Sequence, residues 1–91
     1  RNSKVVDIYN IFNNKTAEID VYDPYAIEND VKKYFNIKLT NYHNIKDKIY
    51  DCVVIGVPHN AFRDLDINKF LKQEAVVFDI KGMFNKKYER L

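Results

Sequence analysis

Apolar positions along this chain fall into two spacings, and the two alternate. In SKVVDIYNIFNN, Val5, Ile8, Tyr9 and Phe12 recur at i, i+3, i+4 and i+7, the one-sided stripe of an amphipathic helix. Ser3 suits its N-cap, and Asn13-Asn14 its stop. In AEIDVYDP, Ala17, Ile19 and Val21 alternate with Glu18, Asp20 and Tyr22. That predicts a strand closed by Asp23-Pro24, because proline cannot donate to a ladder.

A second helix is predicted over Ala26 to Phe35, with Ile27, Val31, Tyr34 and Phe35 inward. IKLTN, Ile37 to Asn41, reads as a short edge strand. NIKDKIY reads as a short helix with Ile45 and Ile49 on one narrow stripe. The most apolar run, DCVVIGVP from Asp51 to Pro58, predicts a central parallel strand buried on both faces. HNAFRDLDINKFLKQ supplies a turn and a third amphipathic stretch through Phe62, Leu65, Phe70 and Leu71. EAVVFDIKG supplies the last strand.

Helices alternating with apolar strands predict an α/β fold, a three-layer Rossmann-like sandwich with a parallel sheet. Such a domain opens on a strand, whereas this chain opens on a helix. The expectation is therefore a domain lacking its first strand.

The 91 residues suit one domain spanning 1–91 with a single core. A net charge of +2, with bases and acids interleaved, gives no reason to expect nucleic acid or a membrane surface. One cysteine, Cys52, allows no internal disulfide, which fits a reducing cytoplasm. No apolar run approaches the roughly 18 residues of a spanning helix.

In open parallel sheets the ligand lies beyond the carboxyl ends of the strands. Three predicted strands end there in conspicuous groups: Asp23-Pro24, Pro58-His59-Asn60, and Asp79-Ile80-Lys81-Gly82. These tips are expected to converge on one edge of the sheet. A lysine there can act as a point charge for phosphate or carboxylate, and Gly82 can adopt backbone conformations other residues avoid. Plainer readings stand beside these. Asp23-Pro24 is ordinary turn chemistry, Lys81 also suits a salt bridge to Asp79, His59 suits a surface or capping role, and Cys52 suits packing at the other end of its strand.

With only Gly56 and Gly82 in the chain, neither a GxGxxG turn nor a Walker A loop can exist. No Cys/His spacing supports a metal, and no nucleophile-base pairing is evident. The residues by themselves describe a nucleotide-fold domain without catalytic groups of its own.

Taken in order, RNSKVVDI, VYDPYA, DCVVIGVPHNAFRDLD, and VVFDIKG followed by YERL make the sequence specific. Together they resemble the C-terminal, UDP-binding domain of the UDP-glucose/GDP-mannose dehydrogenase family, in particular its bacterial UDP-N-acetyl-hexosamine 6-dehydrogenases, which feed capsule and surface polysaccharide synthesis. The resemblance covers essentially the whole chain. It implies a parent enzyme with an N-terminal NAD-binding domain, a central helical dimerisation region, and this domain holding the UDP moiety of the sugar nucleotide. Such a parent oxidises the sugar C6 alcohol to a carboxylate with NAD, using a cysteine and a lysine from segments other than this one. Cys52 does not match that cysteine. The piece alone is expected to be inactive.

The resemblance further implies that Arg1 reaches NAD across the domain cleft and that Lys81 faces the UDP-sugar, with Asp79 and Gly82 supporting the same substrate loop. Lysine cannot give the bidentate fork of the arginine found there in other branches. The family domain also begins with a strand and a Gly-x-x-Phe-Lys loop ahead of the matching segment. Their lack predicts that the chain closes the gap, swaps elements, or forms a homodimer or higher oligomer through sheet edges. A reading from another class is a stand-alone receiver-like module, which needs a cluster of strand-end carboxylates around a phosphoacceptor.

Overall fold

The computed structural model describes residues 3–15 and 17–84. Arg1, expected to meet NAD, and the tail from Asn85 with its YERL lie outside the described residues. The chain divides into two compact units, residues 1–46 and 47–91, each taken by itself below.

The first unit opens with helix α1, Ser3–Asn14, matching the span that the 3.6-residue spacing predicts. Its apolar stripe is only half-buried, however, and Phe12 is exposed. Helix α2 is Glu28–Phe35, and it ends on Asn36 in the left-handed conformation (φ 57°), whose N–H donates to the Lys32 carbonyl at 3.0 Å. Asparagine tolerates that conformation better than most residues, so it makes a natural helix stop. Helix α3, Tyr42–Ile45, is capped by Asn41, whose side-chain oxygen accepts from the Asn44 N–H at 3.1 Å. It ends too soon for the predicted stripe. Ile45 is buried, while Ile49 lies beyond the helix and is 55% exposed.

The strands expected at Ala17 to Asp23 and Ile37 to Asn41 are absent. The segments run without regular structure; between them the Thr40 N–H donates to the Val21 carbonyl at 2.7 Å. Alternation selects which face of a strand is apolar, but a strand also needs a neighbour for its alternate backbone groups. One bond does not supply a ladder.

The second unit carries the sheet. Strand β1, Tyr50–Ile55, pairs in parallel with β2, Leu71–Asp79, and these two strands make up the sheet among the described residues. The predicted central strand therefore has one neighbour among the described residues. The crossover between the strands contains α4, Asn60–Arg63, and a 3-10 turn, Ile67–Phe70. The parallel pair and its crossover make this an α/β fold of Rossmann-like type.

Register is regular from Cys52 opposite Val76 to Ile55 opposite Asp79. Before that, β1 advances two residues from Tyr50 while β2 advances five from Leu71, so β2 bulges outward. Glu74 sits in that bulge at φ 66°. The buried apolar side chains of this unit are Ile55, Phe62, Ile67, Phe70, Val77 and Met83, drawn from both strands, both crossover turns and the loop after β2. Lys72 pairs with Asp51 at 3.3 Å across the strands, but both side chains are exposed, so the pair adds little stability.

Candidate functional site

Because β1 and β2 are parallel, their carboxyl ends lie on one edge. Gly56 to Asn60 follows β1 there, and Ile80 to Gly82 follows β2. The second of these is closed by a series of backbone hydrogen bonds. The Ile80 N–H donates back to the Ile55 carbonyl at 3.0 Å, carrying the strand pairing one residue past β2. The Gly82 N–H then donates to the Asp79 carbonyl at 3.1 Å, closing a four-residue turn. Gly82 leaves that turn at φ 67°, where a Cβ would be crowded.

The left-handed step brings the next two amides back toward the strand end. Met83 N–H donates to Asp79 Oδ1 at 2.9 Å and Phe84 N–H to Asp79 Oδ2 at 2.8 Å. Asp79 is 1% exposed. A buried carboxyl group is costly without partners, and here each of its oxygens accepts a backbone N–H.

Asp79 therefore points inward and does not face solvent. A sequence signal for this existed. Strand side chains alternate with period two, so Asp79 shares the face of Val77, which is buried at 6% exposure. The salt bridge between Lys81 and Asp79 considered from sequence is not formed. Lys81 stands exposed at the middle of the turn, with no hydrogen bond or ion pair to another described residue.

The other predicted tips differ. His59 precedes α4 and makes no side-chain cap; its ring meets Phe62 edge-on at a centroid distance of 5.5 Å. Asp23 follows no strand. It belongs to the first unit, where its carboxylate accepts from the Tyr25 N–H at 2.9 Å, an Asx turn. The plainer reading of Asp23-Pro24 is what the structure gives, and the expected three-strand convergence is reduced to two strand ends.

Cys52 lies in β1, half-buried, and burial pushes its thiol above the ordinary value. A raised thiol is a poorer nucleophile at neutral pH, in keeping with packing. Elsewhere, a groove of about 580 Å³ on α2 is lined by Asp30, Val31, Tyr34 and Phe35. Lined by an acid and apolar groups, it does not suit an anion. Among the described residues no group of three His, Cys, Asp or Glu side chains could hold a metal ion, and no helix is long and apolar enough to cross a membrane.

A parallel strand pair joined by a crossover, with the exposed Lys81 beside its carboxyl edge, is an α/β domain of Rossmann-like type. Residues 1–86 match the model of the UDP-glucose/GDP-mannose dehydrogenase family, UDP binding domain, and the chain belongs to that family. It is 32% identical over 87 residues to Protein CapL of Staphylococcus aureus, covering 93% of this chain and 20% of that protein. It is 30% identical over 88 residues to the UDP-N-acetyl-D-glucosamine 6-dehydrogenase of Pseudomonas aeruginosa, again covering 93% of this chain and 20% of the relative. The chain thus spans about a fifth of the length of these curated relatives. No solved structure matches it at a significant level.

Proposed function

We propose that this segment holds the UDP moiety of a nucleotide sugar for an NAD-dependent UDP-sugar 6-dehydrogenase, a parent enzyme of capsular or surface polysaccharide synthesis in the cytoplasm. Within it, Lys81 meets the UDP-sugar, and Asp79 and Gly82 shape the loop that presents it. The observation that carries the reading is the exposed Lys81 side chain at the carboxyl edge of a parallel pair, where ligands of open α/β sheets bind. Its ammonium suits a phosphate as a point charge. The oxidation of C6 belongs to segments beyond this one.

The described residues do not fit a dinucleotide cradle. Gly56 and Gly82 stand at separate strand ends, so they cannot combine in one phosphate-binding turn. No NAD contact is assigned to them. A role for Arg1 toward NAD, and self-association through the open sheet edges, stay part of the proposal. The receiver-like alternative loses its footing, since the acid at the end of β2 is buried and engaged with two amides.

Titration of UDP, followed by backbone amide shifts, tests the reading. Shifts are expected at Asp79 to Gly82 and around His59, and these should disappear in Lys81→Ala. An unchanged spectrum at millimolar UDP, or equal shifts in the variant, would overturn the assignment to this edge.

A further inference from the structure

The turn after β2 has an unusual distribution of donors. The N–H groups of Ile80, Gly82, Met83 and Phe84 are all bonded within the protein, to Ile55, to the Asp79 carbonyl and to the two Asp79 carboxylate oxygens. Runs of turn N–H groups such as these commonly form a concave anion site. Here two of the four, Met83 and Phe84, are taken by the chain's own carboxylate and the other two by backbone carbonyls. Those four amides are not open to an incoming phosphate, and Lys81, through its side chain and its own N–H, is left as the donor of this tip.

We infer that Asp79 is a positioning residue: an internal anion that occupies the amides of the loop after β2, fixes that loop, and so sets Lys81 as the tip's phosphate-binding group. The inference rests on the nucleotide reading above and extends it. Asp79 touches no ligand, and Lys81 acts alone. Asn at position 79 keeps the shape but replaces one acceptor oxygen with an NH2 donor. That donor would face an amide N–H, so one arm of the loop must let go.

The test titrates UDP into the full chain and into Lys81→Ala, Asp79→Asn, the Asp79→Asn/Lys81→Ala double variant, and Lys81→Arg. Lys81→Ala and Asp79→Asn should each weaken binding about tenfold, the scale of losing one good charge contact. The double variant should bind no more weakly than Lys81→Ala, because Asp79 acts through Lys81. Lys81→Arg should retain binding. Amide exchange at Met83 and Phe84 should quicken in Asp79→Asn, while Val53 and Val77 keep their protection.

Wild-type affinity in Asp79→Asn would overturn the inference. So would a loss that persists undiminished in the Lys81→Ala background, since that marks general structural damage. If Asp79→Asn fails to fold, Gly82→Ala disturbs the same turn from the backbone and must show the same dependence on Lys81. Absence of any UDP response in the wild-type chain would instead overturn the nucleotide reading. The exchange measurement would still decide whether Asp79 holds the loop.

Discussion

The two units are of similar length but differ in how many apolar side chains they bury, and even the second leaves Ile49 and Val76 exposed. Residues 47–91 bury Ile55, Phe62, Ile67, Phe70, Val77 and Met83 around a parallel strand pair. Residues 1–46 bury Ile37 and Ile45, yet leave Ile11, Phe12, Tyr25, Ile27, Tyr34 and Tyr42 exposed. Composition does not separate them, since both contain amphipathic runs with the expected spacing. What separates them is whether the unit has a paired sheet of its own among the described residues. In the second unit β1 and β2 supply one. In the first, the segment expected as a strand forms no ladder among the described residues, and α1 and α2 leave Ile11, Phe12 and Tyr34 exposed. An amphipathic pattern is a promise of burial, and it needs a partner element to be met.

The sharpest test of this contrast compares two aromatic truncations. Phe70 is 6% exposed and Tyr34 is 68% exposed. Phe70→Ala should destabilise the second unit by about 3–5 kcal/mol, a large part of the roughly 5–15 kcal/mol available to a small domain. Tyr34→Ala should stay within about 0.5 kcal/mol. Residue-resolved hydrogen exchange under native conditions gives both values without assuming that the units unfold together. Comparable losses would mean that the first unit's aromatic residues are packed after all, and the contrast would collapse.

Next in size is the turn that carries the candidate site. Gly82 lies at φ 67°, a conformation that costs a residue with a Cβ about 1–2 kcal/mol. Gly82→Ala should lower the urea midpoint of the second unit accordingly and leave the exchange of α1 and α2 unchanged. A neutral result would show that the left-handed step is not needed to bring Met83 and Phe84 back to Asp79.

What the sequence made legible follows the same division. The α/β class, the span of α1 and the two apolar runs that became β1 and β2 were all readable, because each is set by local periodicity. The strand expected at Ala17 to Asp23 was not, because pairing is a property of two segments and alternation describes only one. The site was legible in part. Lys81 and Gly82 were singled out by residue type at a strand end, and both lie in the observed turn. Asp79 was expected in support of that loop or paired with Lys81; its burial on the face of Val77 was legible in the period-two alternation of the strand. The bulge around Glu74 left no clear mark, since no glycine announces its positive φ.

The smallest predicted effect uses the chain's one thiol as a reporter on the better-packed unit. Cys52 lies in β1, and burial raises its pKa above the ordinary 9.0. The folded state therefore holds the thiol proton more tightly than the unfolded chain does. The stability this contributes is complete below about pH 9 and is lost as pH rises through the folded value, because the unfolded thiol then ionises first. Cys52→Ala should remove that downward slope on the alkaline side while leaving the slope below pH 8 unchanged. Iodoacetamide should modify Cys52 at pH 8.5 more slowly than a free thiol, and at the free rate once Phe70→Ala loosens the sheet beneath it. Tyr34→Ala should not change that rate. Modification at the free rate in the wild-type chain would place β1 among the loosely held segments, and the distinction between the two units would then rest on the crossover turns alone.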